Sequence, residues 1–147
     1  MLIVQKYGGA TLAEPQKIKS VARRISELKN KNIQVVAVVS AMGQTTNQLI
    51  NLAHDVSPSP NLRELDMLLS VGERMSMSLV SIALNDLGIQ AISYTGSQAG
   101  ILTDEAHLNA IIKDVKAHRV QEAIQNNKVV ILAGFQGVSP VTKEITT

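Results

Sequence analysis

Three short stretches carry residue types suited to phosphate and amino-acid chemistry. In Val4–Ala10 (VQKYGGA), Lys6 follows an apolar run and precedes the pair Gly8-Gly9. Glycine lets backbone N–H groups close on an anion, and lysine adds a compact positive charge. Phosphoryl transfer needs such positioning and charge neutralisation. No helix with a second lysine follows in the Walker arrangement, and taken alone a lysine at a strand end is a solvated surface residue. The second stretch is SAMGQTTN, Ser40–Asn47. Ser40 falls at a strand end, Gly43 permits close approach, and Thr45, Thr46 and Asn47 open a helix whose free N–H groups suit a carboxylate or phosphate. Simple N-capping by Thr45 or Thr46, worth about 1 kcal/mol, is compatible with that. The third is LLSVGERMS, where Glu73 and Arg74 interrupt an apolar helix. An exposed Glu-Arg pair is the plain alternative. However, Leu69, Glu73 and Met77 recur at i, i+4 and i+8, which places the carboxylate on an apolar face. A carboxylate buried there needs a cationic partner, for which a substrate ammonium would serve.

Other chemistry is poorly represented. His54, His107 and His118 lack ligand-like spacing, so no zinc site is expected. No G-x-S-x-G or Ser/His/Asp arrangement stands out. Met67, Met75 and Met77 read as core filling.

Positioning these residues requires elements that end where they begin. LIVQ reads as a short strand, residues 15–31 as an amphipathic helix with a basic outer face, and IQVVAVVS as a strand covered on both faces. A Gly-containing turn leads to a helix over 46–56. SPSPN is a loop, and residues 62–88 form a long apolar helix containing Gly72 and stopped by Gly88. IQAISY is a strand, TGSQAGILTD a Gly-rich loop or hairpin, AIIKDV a short strand, HRVQEAIQNN a helix and KVVILAGF a further buried strand. Strands alternating with helices predict an α/β domain with a mainly parallel sheet. Ligands in such sheets sit beyond the carboxyl ends of the strands. KYGGAT, SAMGQTT, TGSQAG and GFQG all follow strands. Any one of them reads as a turn, but four in register with strand ends predict a common site.

Composition excludes several classes. The 147 residues suit one domain, and 45% hydrophobic with 18% charged residues can bury a real core. A net charge of +2 without a basic stripe or interleaved aromatics gives no case for nucleic acid. The absence of cysteine excludes disulfides and thiolate metal sites and suits a reducing cytoplasm. No apolar stretch approaches the roughly 20 residues of a membrane span, and the N-terminus does not read as a signal peptide.

VQKYGGAT, VVSAMGQTTNQL, LDMLLSVGERMS, SYTGSQAGILTD and VVILAGFQG, in this order and spacing, resemble the aspartate kinases over essentially the whole chain. KYGGA alone is unspecific; SAMGQTTNQL with LLSVGER resembles the aspartate-specific branch. The resemblance implies a three-layer αβα sandwich of the amino acid kinase (carbamate kinase-like) fold. It implies transfer of the ATP γ-phosphoryl group, with Mg²⁺, to the side-chain carboxylate of L-aspartate. The product, 4-phospho-L-aspartate, feeds lysine, methionine and threonine biosynthesis. By motif, Lys6 would be catalytic, stabilising charge on the transferring group. Lys6, Tyr7, Gly8 and Gly9 would contact the nucleotide phosphates. Ser40, Thr46, Glu73, Gly134, Phe135 and Gly137 would line the substrate pocket, with Glu73 on the α-ammonium. No protein-held metal is implied. A cytoplasmic homo-oligomer that binds neither nucleic acid nor membrane is expected.

Tyr7, Ala10 and Thr11 stand where the family usually has Phe, Thr and Ser. Ala10 lacks a hydroxyl that Thr11 keeps one position on. After KEITT the family continues into a Gly-Arg-Gly-Gly-Ser-Asp segment with a substrate-binding arginine and a catalytic aspartate, then a nucleotide lobe and ACT regulatory domains. The expectation is therefore residues 1–147 as the N-terminal, amino-acid-substrate lobe only, inactive by itself. A non-catalytic binding or oligomerisation module on the same scaffold is the alternative, since the long apolar helix from Leu65 to Leu87 would expose surface to a partner.

Overall fold

The computed structural model describes every residue, Met1–Thr147. Four parallel strands form the main sheet: β1 (Leu2–Tyr7), β2 (Gln34–Val39), β3 (Ala91–Tyr94) and β6 (Val129–Ala133), in the order β1-β2-β6-β3. Lys6 pairs with Val38 and Val39 with Ala133, so the strands end nearly level. The β-branched runs of β2 and β6 suit central strands buried on both faces. Val35, Ala37, Val39, Val129, Ile131 and Ala133 face α1 (Pro15–Asn30) and α3 (Leu62–Asp86). Val36 and Val130 face α4 (His118–Gln125) through Val120 and Ala123. The result is the expected αβα layering. Each fully enclosed Leu or Ile, such as Leu12, Ile25, Leu84 and Ile131, contributes roughly 1.5–3 kcal/mol.

Helix ends follow local chemistry. Pro15 opens α1 at its first position, where its missing N–H costs nothing. The Asn61 side chain caps α3, accepting from the N–H groups of Arg63 at 3.0 Å and Glu64 at 3.3 Å. Gly88, at φ +75°, closes it: Gly88 N–H donates to Asn85 and Ile89 N–H to Leu84, each at 3.0 Å.

Several features depart from the sequence reading. β1 extends through Tyr7, so Lys6 lies within the strand. A second sheet, in the order β5-β4-β7-β8, is built from β4 (Ile101–Thr103), β5 (Ile112–Val115), β7 (Gly137–Val138) and β8 (Ile145–Thr146). β5 is the short strand expected at AIIKDV, whereas β4, β7 and β8, of two or three residues, show no periodicity to read. α2 (Thr45–Val56) buries no residue fully and lies against α3. Met77 is buried, whereas Met75 is exposed in a stripe on α3 with Val71, Leu79 and Ile82. By length and composition α3 would suffice to cross a membrane, contrary to the sequence reading. Here half of that window is buried inside the fold, and Asp66 and Glu73 lie on its inner face.

Candidate active site

The carboxyl ends of β1, β2 and β6 open into one cleft of about 670 Å³, lined by Lys6, Gly9, Ser40, Ala41, Gly43, Thr46, Glu73, Gly134 and Phe135 among others. Backbone hydrogen bonds tie its rim together. Ser40 N–H donates to Tyr7 at 3.0 Å, Gly43 N–H to Gly9 at 2.9 Å and Gly134 N–H to Val39 at 2.9 Å. Gly9 has to be small: a Cβ there would sit 2.9 Å from the Ala41 carbonyl oxygen and 3.1 Å from that of Gly43.

Glu73 is the dominant group. It is 3% exposed. Oε1 accepts the Ala41 N–H at 3.1 Å, while Oε2 is buried without a partner. Burial pushes its carboxyl above the ordinary carboxylate range, partly opposed by the hydrogen bonds of the Ala41 and Glu73 backbone. Arg74 does not pair with it, and neither does Lys6; the salt bridges of the molecule lie elsewhere. A buried carboxyl in the lining of a cleft, with one oxygen lacking a donor, suits a cation that donates hydrogen bonds. The expected apolar face also holds, with Leu69 and Met77 buried beside Glu73.

α3 reaches this cleft because Gly72 has no side chain. A Cβ at 72 would fall 2.7 Å from Ala41 Cβ and 3.7 Å from Thr45 Cγ2. The helix therefore packs directly on the loop that donates to Glu73. Gln44 occupies the N-cap of α2 and makes no side-chain cap bond. Neither Thr45 nor Thr46 caps the helix, since both lie inside it, and Thr46 is part of the cleft lining.

Of the candidates named from sequence, Lys6, Gly9, Ser40, Thr46, Glu73, Gly134 and Phe135 come together here. Gly8 and Gly137 stand outside the lining. Gly137 borders a neighbouring apolar cavity of about 470 Å³ that shares Val38, Gly134 and Phe135 with the cleft. The Tyr7 side chain is turned away, because alternation along β1 sends it to the face opposite Lys6. It is buried in the core under α1, and its hydroxyl donates to Gln5 Oε1 at 2.8 Å. The loop after β3 does not join the cleft, because β3 is the far edge strand. It backs the wall instead: a Cβ on Gly96 would meet the Gln136 carbonyl oxygen at 2.0 Å. Ala41 is a member of the site that sequence reasoning misses; an alanine before a turn gives no signal, since its contribution is a backbone N–H.

A lysine and glycine amides at strand ends fit a phosphoryl group. No three His, Cys, Asp or Glu side chains cluster where they could hold a metal ion.

The whole chain, residues 1–147, matches the amino acid kinase family. It is 52% identical over 146 residues to the aspartokinase of Mycolicibacterium smegmatis, covering 99% of this chain and 35% of that protein. The chain thus spans about a third of the length of the curated relatives it matches. The structure superposes on aspartate kinase from Synechocystis with a TM-score of 0.82 at 42% identity, over 100% of this chain and 23% of that one. Escherichia coli aspartokinase III, solved with aspartate and ADP, shares the fold with a TM-score of 0.83 at 19% identity, over 100% of this chain and 43% of that one.

Proposed function

The chain belongs to the amino acid kinase family, and on that premise we propose that its cleft is the acceptor half of an aspartate kinase active site. The observation that carries the reading is Glu73 Oε2, a buried carboxylate oxygen with no partner of its own. The α-ammonium of L-aspartate supplies the missing donors and charge. Thr46, on the first turn of α2, contacts the same substrate, and Ser40 lies next to the reacting carboxylate. Lys6 and the Gly9 backbone hold the phosphoryl group that passes from ATP to the side-chain carboxylate, leaving ADP and 4-phospho-L-aspartate. Lys6 neutralises charge on that group as it moves. Mg²⁺ arrives bound to the nucleotide phosphates. The aspartate and ADP bound to aspartokinase III support these ligand classes. We place the reaction in the cytoplasm, at the entry to lysine, methionine and threonine synthesis, and assign residues 1–147 to the amino-acid-binding lobe.

Calorimetric titration of the 147-residue chain with L-aspartate tests the acceptor site. Binding is expected, and Glu73→Gln weakens it by about 2–3 kcal/mol, roughly 30- to 150-fold. Equal affinity in wild type and Glu73→Gln would refute the assignment.

A second reading concerns assembly, and the exposed α3 stripe of Val71, Met75, Leu79 and Ile82 favours it. Its i, i+4, i+8, i+11 spacing is that of a helix-packing face, and pairing with a second copy of the chain would cover it.

A further inference from the structure

Asp66 is a buried ionisable group that the cleft does not use. It lies on α3 seven residues before Glu73, two turns or about 10 Å along the axis, and is fully enclosed. Three groups from two separate segments, residues 107–108 and Thr147, converge on its carboxylate. His107 Nδ1 lies 2.6 Å from Oδ2. The Leu108 N–H lies 3.3 Å from Oδ1 and 3.4 Å from Oδ2. The Thr147 hydroxyl donates to Oδ1. One turn earlier, Arg63 Nε donates to Glu144 at 2.8 Å. The small sheet is thus pinned to the first turns of α3 by charged groups.

That sheet carries the wall of the cleft. Gly134, Phe135 and Gln136 run straight into β7, which pairs with β4 at Leu102↔Val138 and with β8 at Gly137↔Thr146. Gln136 Nε2 also donates to the Ser70 carbonyl of α3 at 3.1 Å. Among the residues here that hold left-handed backbone without being glycine are Leu108 at φ 62° and Phe135 at φ 61°. Such a conformation is disfavoured for residues with a Cβ and persists where the surroundings over-determine it. Leu108 is held by its own N–H on Asp66. Phe135 is held through its neighbours, Gly134 on Val39 and Gln136 on Ser70. One helix therefore presents Glu73 to the cleft and anchors both strained turns.

We propose that Asp66 is a positioning residue of the acceptor cleft, latching His107, Leu108 and Thr147 to α3 and, through β8 and β7, fixing the Phe135 wall. The proposal rests on the reading of the cleft as an amino-acid site. An ionised carboxylate suits the role because it accepts only, and three donors converge on it. Asparagine would turn an NH₂ group toward one of those donors.

The test is amide hydrogen exchange by NMR on the 147-residue chain, followed by titration with L-aspartate. Asp66→Asn and His107→Ala are expected to speed exchange at least tenfold at Leu108, Gly134, Gly137 and Val138. Exchange at Val36 and Val38 in the main sheet stays unchanged. His107→Gln, which keeps a side-chain donor, restores slow exchange. L-aspartate affinity falls several-fold in Asp66→Asn, whereas Glu73→Gln loses affinity without altering exchange at Leu108. Acceleration confined to Leu108, or spread evenly into the main sheet, would overturn the proposal. If Asp66→Asn fails to fold, the His107 pair decides. If the wild type does not bind L-aspartate, the cleft reading fails, and the exchange pattern still decides whether Asp66 fixes the wall.

Discussion

Replacing Gly72 by alanine sets helix propensity against packing. In an unencumbered helix the change stabilises by about 1 kcal/mol. Here the new Cβ would lie 2.7 Å from Ala41 Cβ and 3.8 Å from Ala41 Cα. Carbon atoms rest about 3.5–4.0 Å apart, so α3 and the 41–46 loop must separate by roughly 1 Å. The Ala41 N–H, now 3.1 Å from Glu73 Oε1, would then move to about 4 Å, outside hydrogen-bonding range. A bond to an ionised acceptor is worth about 1.5–3 kcal/mol. After subtracting the propensity gain of about 1 kcal/mol, the net destabilisation is about 0.5–2 kcal/mol. Urea unfolding is expected to show a midpoint lowered by about 0.3–1 M at unchanged slope, with weaker L-aspartate binding. Adding Ala41→Gly removes the opposing methyl, so the double variant recovers stability beyond the sum of the single effects. If Gly72→Ala alone stabilises the chain by about 1 kcal/mol and leaves the Ala41 amide resonance in place, close approach of α3 to the loop is not what requires glycine at 72.

Because burial raises the Glu73 carboxyl above its unfolded value, the native state binds its proton more tightly. Its stabilisation is present in full below the unfolded carboxyl value and is lost as pH rises through the raised one. Glu73→Gln should therefore raise the thermal midpoint of the unliganded chain at neutral pH, with the gain shrinking on acidification; a gain independent of pH would contradict this. Gly96→Ala drives a Cβ to 2.0 Å from the Gln136 carbonyl oxygen, a backbone atom that cannot swing aside. A loss of about 3 kcal/mol or more is expected in denaturant unfolding, and a loss below 1 kcal/mol would show that the loop yields. Ile82→Glu places a charge in the exposed α3 stripe. Sedimentation equilibrium should report a wild-type oligomer and a variant shifted to monomer; identical masses for the two would remove this face from assembly.

Much of the architecture is legible because its signals are local. Apolar spacing of Ile18, Val21, Ala22 and Ile25 marks α1, and the valine runs mark β2 and β6 as strands buried on both faces. The glycine and small polar residues after β1, β2 and β6 mark the site, because a parallel sheet gathers the loops at its carboxyl edge. Apart from β5, the small sheet is not legible, since pairs such as Gly137↔Thr146 and Val138↔Ile145 bring together two-residue segments with no pattern of their own.

Residue types and their periods, set by covalent chemistry and backbone geometry, determine by themselves the αβ layering, the inward face of Glu73 and the placing of Lys6 at the sheet's carboxyl edge. Strand order and close packing depend on contacts distant in the chain, so only the tertiary structure decides them. It excludes the loop after β3 from the cleft by making β3 an edge, and turns the Tyr7 side chain into the core. It leaves Glu73 Oε2 without a donor while Ala41 satisfies Oε1. It also gathers His107, Leu108 and Thr147 onto Asp66, residues as many as 81 positions apart in the chain.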